Sequence, residues 1–141
     1  MINCIACSIS KGIEQSHVIY ESDDIICFLD HRPITRGHIL ICPKEHFVDF
    51  WDLPENVSRK IFSKAKELSI LLKCCFGADG LSMIQNNGEF NELSHFHLHL
   101  FPRKKGDGFS WVSSNGSIVS AEDLQEVKDK ILSFNLYTRN H

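Results

Sequence analysis

The stretch Ser94-His95-Phe96-His97-Leu98-His99-Leu100-Phe101 alternates imidazole with apolar side chains. Successive side chains of a strand point to opposite faces. His95, His97 and His99 therefore share one face, and Phe96, Leu98 and Leu100 share the other. The period of two predicts a strand over residues 94–101, ended by Pro102, with one face on a core and the other made of imidazoles. Neutral imidazole is neither a strong strand former nor good core filler, and titratable groups converging on one face commonly mark a site. Two chemistries fit. The three imidazoles can hold a catalytic zinc, or one can serve as nucleophile or base while its neighbours set its tautomer and bind phosphate.

Four more strands are expected upstream. His17–Tyr20 and Ile25–Leu29 flank the turn Glu21-Ser22-Asp23-Asp24, and His38–Cys42 follows a loop bounded by Pro33 and Gly37. Their closeness predicts an antiparallel meander. From Leu53 the period changes: Val57, Ile61, Phe62, Ala65, Leu68, Leu71 and Leu72 recur at helical spacing, with Pro54 near the first turn and Gly77 and Gly80 at the end. Leu81–Gln85 reads as the fourth strand, and Asn86-Asn87-Gly88 as a turn. Ser120 and Asp123 can cap a final helix. Strands with segregated helices define an α+β domain built on an antiparallel five-stranded sheet, with one long and one C-terminal helix.

At 141 residues, 43% apolar and 23% charged, the chain suits one compact domain, with a core over residues 4–103 and a C-terminal segment over residues 104–141. A net charge of −3 gives no reason to expect a nucleic-acid polymer or a lipid surface as partner. No apolar run approaches the ~20 residues of a membrane helix, and Met1-Ile2-Asn3-Cys4 does not open a secretion signal. A cytoplasmic protein is expected, in which six cysteines are not a disulfide framework. Cys4 and Cys7 form a short knuckle-like C-x2-C pair that can chelate an ion or act as a redox dithiol. Cys27, Cys42, Cys74 and Cys75 read as buried thiols. Arg103-Lys104-Lys105 reads as a solvated face. Phe109-Ser110-Trp111 reads either as packing or as the border of a pocket or subunit contact.

The run His95-Phe96-His97-Leu98-His99-Leu100-Phe101-Pro102-Arg103 resembles the signature of the histidine-triad (HIT) family. Gly37-His38-Ile39-Leu40-Ile41-Cys42-Pro43-Lys44-Glu45-His46 resembles a second block of that family. Phe28-Leu29-Asp30 resembles its base- and ribose-holding segment, and Asn86-Asn87-Gly88 its loop before the triad. The resemblance implies a HIT-like fold, a homodimer, and cleavage of the α-phosphate linkage of a nucleoside phosphate, with a purine nucleotide or nucleotide conjugate as ligand. It implies His97 as nucleophile, forming a nucleotidyl-histidine, with His99 stabilising phosphate charge and His38 supporting the cluster. Asp30 is expected on the ribose hydroxyls, and Ile25, Phe28 and His31 around the base. Asn86 is expected either as a turn residue or as a phosphate donor. Bacterial-type members carry a structural zinc, and the matching ligands here are Cys4, Cys7, His46 and His95. That set commits His95 and so weighs against a catalytic zinc on all three triad histidines.

The loop before His95 departs from the family. Asn91 stands where Gln is usual, and Glu92 where Ser occurs. Asn91 can replace an amide contact with less reach. Glu92 adds a negative charge that disfavours a highly charged leaving group. An alternative function is a nucleotide-binding regulatory module with little turnover; a metal-dependent hydrolase is a third.

Overall fold

The computed structural model describes residues 3–113 and 116–138. The chain divides into two compact units, Met1–Phe109 and Ser110–His141. The first holds a five-stranded antiparallel sheet in the order β1-β2-β3-β5-β4, formed by β1 (Val18–Glu21), β2 (Ile25–Leu29), β3 (Ile39–Pro43), β4 (Gly80–Ile84) and β5 (Leu98–Arg103). The meander of β1, β2 and β3 is as the spacing predicts. Helix α2 (Glu55–Phe76) carries the chain from β3 to the far edge, and β5 then inserts between β3 and β4. The architecture is α+β.

Strands β2 and β3 are buried on both faces. Ile25, Cys27, Ile39, Ile41, Phe96, Leu98 and Leu100 pack beneath α2 against Val57, Ile61, Ala65, Leu68 and Leu72. Ile26, Phe28, Leu40 and Cys42 form a second cluster on the opposite face, joined by Ile9 of α1 (Ile5–Ser10). The alternation read from Phe96, Leu98 and Leu100 therefore holds. Phe62 and Leu71, which share the helical spacing, lie outside the buried stripe of α2 and are exposed. Cys74 and Cys75 also fall off that stripe; they are exposed, contrary to their reading as buried thiols. Cys27 and Cys42 are buried as expected. Burial pushes the Cys27 thiol up to about 12 and the Cys42 thiol higher, so neither is a ready thiolate.

Several boundaries move for physical reasons. The regular ladder of β5 begins at Leu98 rather than Ser94, because pairing with β3 starts at Leu98 and pairing with β4 at His99. Pro102 sits within β5 instead of ending it. Its carbonyl accepts the Thr35 hydroxyl at 2.7 Å, which marks the β3-facing side, and β3 pairing stops at Leu100, so the missing N–H breaks no ladder. The knuckle at Cys4–Cys7 is the start of helix α1, with Cys4 as its cap.

Two glycines are required by the backbone. Gly77 ends α2 in the left-handed region at φ +56° and donates its N–H to the Lys73 carbonyl. Gly37 has φ +96°, and a Cβ there would lie 2.6 Å from the Phe76 ring. At the end of β5, Arg103 binds both carboxylate oxygens of Asp107 and the Phe109 carbonyl, so its charge is spent on closing a turn. Phe109 packs on Phe101 at 5.2 Å between ring centroids, which makes it a packing residue.

In the second unit, helix α3 spans Ala121–Thr138. The Ser120 hydroxyl oxygen accepts the Asp123 N–H at 3.1 Å, the forward half of the expected capping box. Among the described residues, no helix is long and apolar enough to cross a membrane.

Candidate active site and metal-binding cluster

A cavity of about 520 Å³ opens on the sheet face opposite α2. His38, His97 and His99 line it, together with Phe28, Asp30, His31, Asn86 and Glu92. Alternation explains which strand residues reach it. Leu40 and His99 are register partners across β3 and β5, while their neighbours Ile39, Ile41, Leu98 and Leu100 go to the α2 side.

The hydrogen bonds settle where the ring protons are. His97 Nδ1 lies 2.9 Å from the His95 carbonyl, which can only accept. Nδ1 therefore carries a proton, and in the neutral ring Nε2 keeps an unspent lone pair. The Ile34 N–H donates to His38 Nδ1 at 3.0 Å, so neutral His38 is protonated on Nε2. That proton points at His99 Nδ1, 2.9 Å away, which leaves His99 with its own proton on Nε2. Backbone groups at the two ends thus assign three tautomers. Burial, then the neighbouring His97 and His38, pushes His99 down to about 4. Burial also lowers His38, against the opposing pull of Asp30. Both rings are neutral near pH 7. The His97 ring sits edge-on to His99, 4.8 Å between centroids.

Asp30 follows β2 and accepts the Arg32 N–H through Oδ1 at 2.8 Å, a local turn that holds the carboxylate at the cavity wall. Its Oδ2 lies 3.7 Å from His38 Nδ1. His31 is almost fully exposed at the rim. Ser94, just before the histidine run, is the one non-glycine residue with positive φ among the described residues, at +50°.

Two expected residues are elsewhere. Ile25 packs under α2, on the wrong face of β2 to flank a base. Asn91 is buried outside the cavity; its amide donates to the Val48 carbonyl at 2.6 Å and to Asp49 at 3.3 Å. It ties the loop down and does not present an amide to a ligand. Conversely, Ile5, Ile9, Ile34, Leu40, Ile84 and Leu93 supply apolar wall that the sequence reading missed. Ile5 and Ile9 are an i, i+4 pair on α1, a helix too short for that spacing to stand out in the sequence.

Cys4, Cys7, His46 and His95 converge in a second cluster, with ligand atoms all within 4.8 Å of one another. Cys7 Sγ is 3.3 Å from His46 Nδ1 and 3.5 Å from His95 Nδ1, Cys4 Sγ is 3.4 Å from His95 Nδ1, and the two Nδ1 atoms are 3.2 Å apart. Metal–sulfur bonds of about 2.3 Å and metal–nitrogen bonds of about 2.0–2.1 Å in a tetrahedron require S–N edges of about 3.5 Å and N–N edges of about 3.3 Å. The donor set fits. His95 Nε2 donates to the Pro43 carbonyl at 2.8 Å, which fixes the ring and leaves its Nδ1 lone pair facing the thiols. Asp30, His38 and His99 also cluster, but there both His38 nitrogens and His99 Nδ1 are already engaged in the hydrogen-bond chain.

The sequence matches the HIT domain over residues 11–106. It is 32% identical over 133 residues to the protein named hit of Bacillus subtilis, covering 92% of each chain. It is 32% identical over 115 residues to adenylylsulfatase HINT3 of Arabidopsis thaliana, covering 80% of this chain and 58% of that one. Among solved structures, a histidine triad nucleotide-binding protein from Candida albicans superposes with a TM-score of 0.84 at 27% identity, covering 96% of this chain and 99% of that one. A zinc-bound histidine triad family protein from Mycobacterium smegmatis superposes with a TM-score of 0.73 at 32% identity, covering 81% and 85%.

Proposed function

Because the chain belongs to the HIT family, we propose that it is a nucleotide hydrolase or nucleotidyl transferase that cleaves the α-phosphate linkage of a purine nucleotide or nucleotide conjugate. The observation that carries the reading is the 2.9 Å bond from His97 Nδ1 to the His95 carbonyl, which frees Nε2 as a nucleophile in the cavity wall. In the first step the Nε2 lone pair forms a bond to the α-phosphorus while the bond to the leaving group breaks, and the leaving group keeps that electron pair. In the second, water attacks phosphorus and Nε2 recovers its pair. A covalent intermediate divides one difficult displacement into two easier ones. His99 Nε2–H, set by His38, donates to a phosphate oxygen as charge builds there. Asp30 receives ribose hydroxyls, Phe28 and His31 flank the base, and Asn86 meets phosphate. The relative named as an adenylylsulfatase supports the chemistry, and the one named as nucleotide-binding supports the ligand class.

The test is rapid alkaline quenching with a labelled nucleotide substrate. A nucleotidyl adduct is expected on the peptide containing His97. An adduct on another residue, or full activity in His97→Ala, rejects the assignment. A second reading, a nucleotide-binding module with little turnover, draws on Glu92 in the cavity wall; it predicts tight nucleotide binding with neither adduct nor turnover.

Cys4, Cys7, His46 and His95 are proposed to hold a structural zinc, supported by their tetrahedral spacing and by the zinc-bound relative. A closed set of four protein ligands leaves no open position for substrate. When bound, zinc supplies a cross-link among α1, the loop after β3 and the histidine run. Elemental analysis is expected to find one zinc per chain; metal-free protein with both thiols reduced rejects the site. A cytoplasmic homodimer is also proposed. Phe62, Ile70 and Leu71 on α2 and Met83 on edge strand β4 are exposed apolar residues available to a second copy. Sedimentation equilibrium decides between dimer and monomer.

A further inference from the structure

We propose that Glu92 selects the leaving group, favouring nucleotide conjugates whose leaving group carries a positive charge over those whose leaving group is anionic. The inference rests on the hydrolase reading above and adds the substrate class.

The cavity has two ends. Asp30, His31, Arg32 and Ile34 lie on the connection from β2 to β3, whereas Asn86 follows β4 and Glu92 and Leu93 precede β5. The sheet order β1-β2-β3-β5-β4 puts the first group on one side of the histidines and the second on the other. His99 lies between, paired with Leu40 of β3 and Ile84 of β4. A nucleoside seated on Phe28 and Asp30 places its phosphate at His97 and His99. The remaining substituent on phosphorus then extends toward Asn86, Leu93 and Glu92.

The charges at the two ends differ in how they are used. Asp30 accepts the Arg32 N–H through one carboxylate oxygen and has the other beside His38. Glu92 is exposed, and its carboxylate makes no hydrogen bond or ion pair with any described residue. Among the described residues lining the cavity, the one arginine or lysine is Arg32, which lies on the β2–β3 connection at the opposite end, so no fixed cation there offsets Glu92. A phosphate leaving group gains negative charge there as its bond breaks, which an unpaired carboxylate opposes. A phosphoramidate behaves differently. The His97 Nε2–phosphorus bond forms, the phosphorus–nitrogen bond breaks, and the amine leaves with the electron pair and takes one proton from solvent. Water releases one proton when it cleaves the intermediate, so the cycle consumes one water. An ammonium elsewhere on that amine is attracted to Glu92 throughout.

The experiment uses three adenosine 5′-phosphoramidates with the same scissile bond and tails of equal length, ending in ammonium, hydroxyl or carboxylate. The wild-type chain is expected to rank them in that order by kcat/KM, about threefold per step, the scale of an exposed ion pair. Ammonium over carboxylate is then about tenfold, and the ratio narrows in high salt. Glu92→Gln is expected to bring the ratio near one, and Glu92→Lys to invert it. The same three affinities are measured by calorimetry in His97→Ala, with and without Glu92→Gln, so that the tail preference is read without turnover. Equal rates for all three in the wild type, or a preference that Glu92→Gln leaves in place, overturns the inference while the hydrolase reading stands. Absence of cleavage, with a tail preference in binding that Glu92→Gln removes, overturns the hydrolase reading and supports the role of Glu92. Failure of all three to bind overturns both.

Discussion

His97, His99 and Asp30 occupy one cavity but depend on different neighbours, and their substitutions separate accordingly. His97→Ala removes the nucleophile and is expected to abolish most turnover while nucleotide binding persists, as calorimetry can check. His99→Ala loses a donor to phosphate and is expected to cost less, because His97 keeps its own tautomer through the His95 carbonyl. Asp30 holds the Arg32 N–H as well as facing the cavity, so Asp30→Ala mixes a turn defect with a binding defect. Asp30→Asn keeps the turn acceptor and removes the charge. It is expected to weaken nucleotide binding by roughly 1.5–3 kcal/mol and to leave binding of inorganic phosphate unchanged; equal losses for both ligands contradict the ribose assignment. His99 also sets a pH dependence of stability. Its folded value of about 4 lies below the ordinary 6.5, so between those values the unfolded chain binds more protons. This contribution is fully present above about pH 6.5 and is lost as pH falls through about 4. Denaturation midpoints measured from pH 7 to pH 4 should fall, and should fall less steeply in His99→Gln.

At the scale of elements, the site draws on strand residues such as Leu40 and His99 and on the connections that seat those strands. Gly37 opens β3 at φ +96° with the Phe76 ring against it, which seats the end of α2 over the start of the strand that carries Leu40. Gly37→Ala meets both a backbone conformation that L residues rarely adopt and a ring 2.6 Å from the new methyl. A loss of about 1–3 kcal/mol from overpacking is expected, with backbone strain in addition. Adding Phe76→Leu should recover the packing part only, and urea denaturation of both variants checks the split; full recovery contradicts the backbone part. Asn91 fastens the loop that carries Glu92 to Val48 and Asp49, so Asn91→Ala should lower stability and blur the leaving-group preference together.

For the whole molecule, one cluster joins three separate segments. Cys4 and Cys7 open α1, His46 follows β3, and His95 leads into the nucleophile. Ile5 and Ile9 of the same α1 form cavity wall. Removing the metal should therefore lower the melting temperature and also weaken nucleotide affinity, since both the wall and the carbonyl partner of His97 lose their anchor. Acid should reproduce the effect, because the ligands must be deprotonated to bind. Calorimetry of chelated and reconstituted protein checks both; a lower Tm with unchanged affinity limits the cluster to stability.

The histidine alternation was legible because a strand with one polar face carries its own period, and it placed Phe96, Leu98 and Leu100 under α2 correctly. The four members of the Cys/His cluster were legible from residue type and family resemblance. Ile25 was not. Ile25 to Phe28 are all buried, so β2 shows no polarity period, and only its register with β3 and the position of α2 decide that Phe28 faces the cavity and Ile25 does not. Helix α1 is a single short turn and a half, too brief for its Ile5 and Ile9 spacing to announce itself. Asn91 could serve a ligand or a buried loop equally well by composition; the proximity of Val48 and Asp49 decided it. The tautomers lie furthest from the sequence. They follow from the Ile34 N–H and the His95 carbonyl meeting particular ring nitrogens, and hydrogen-bond direction exists only once the chain has folded.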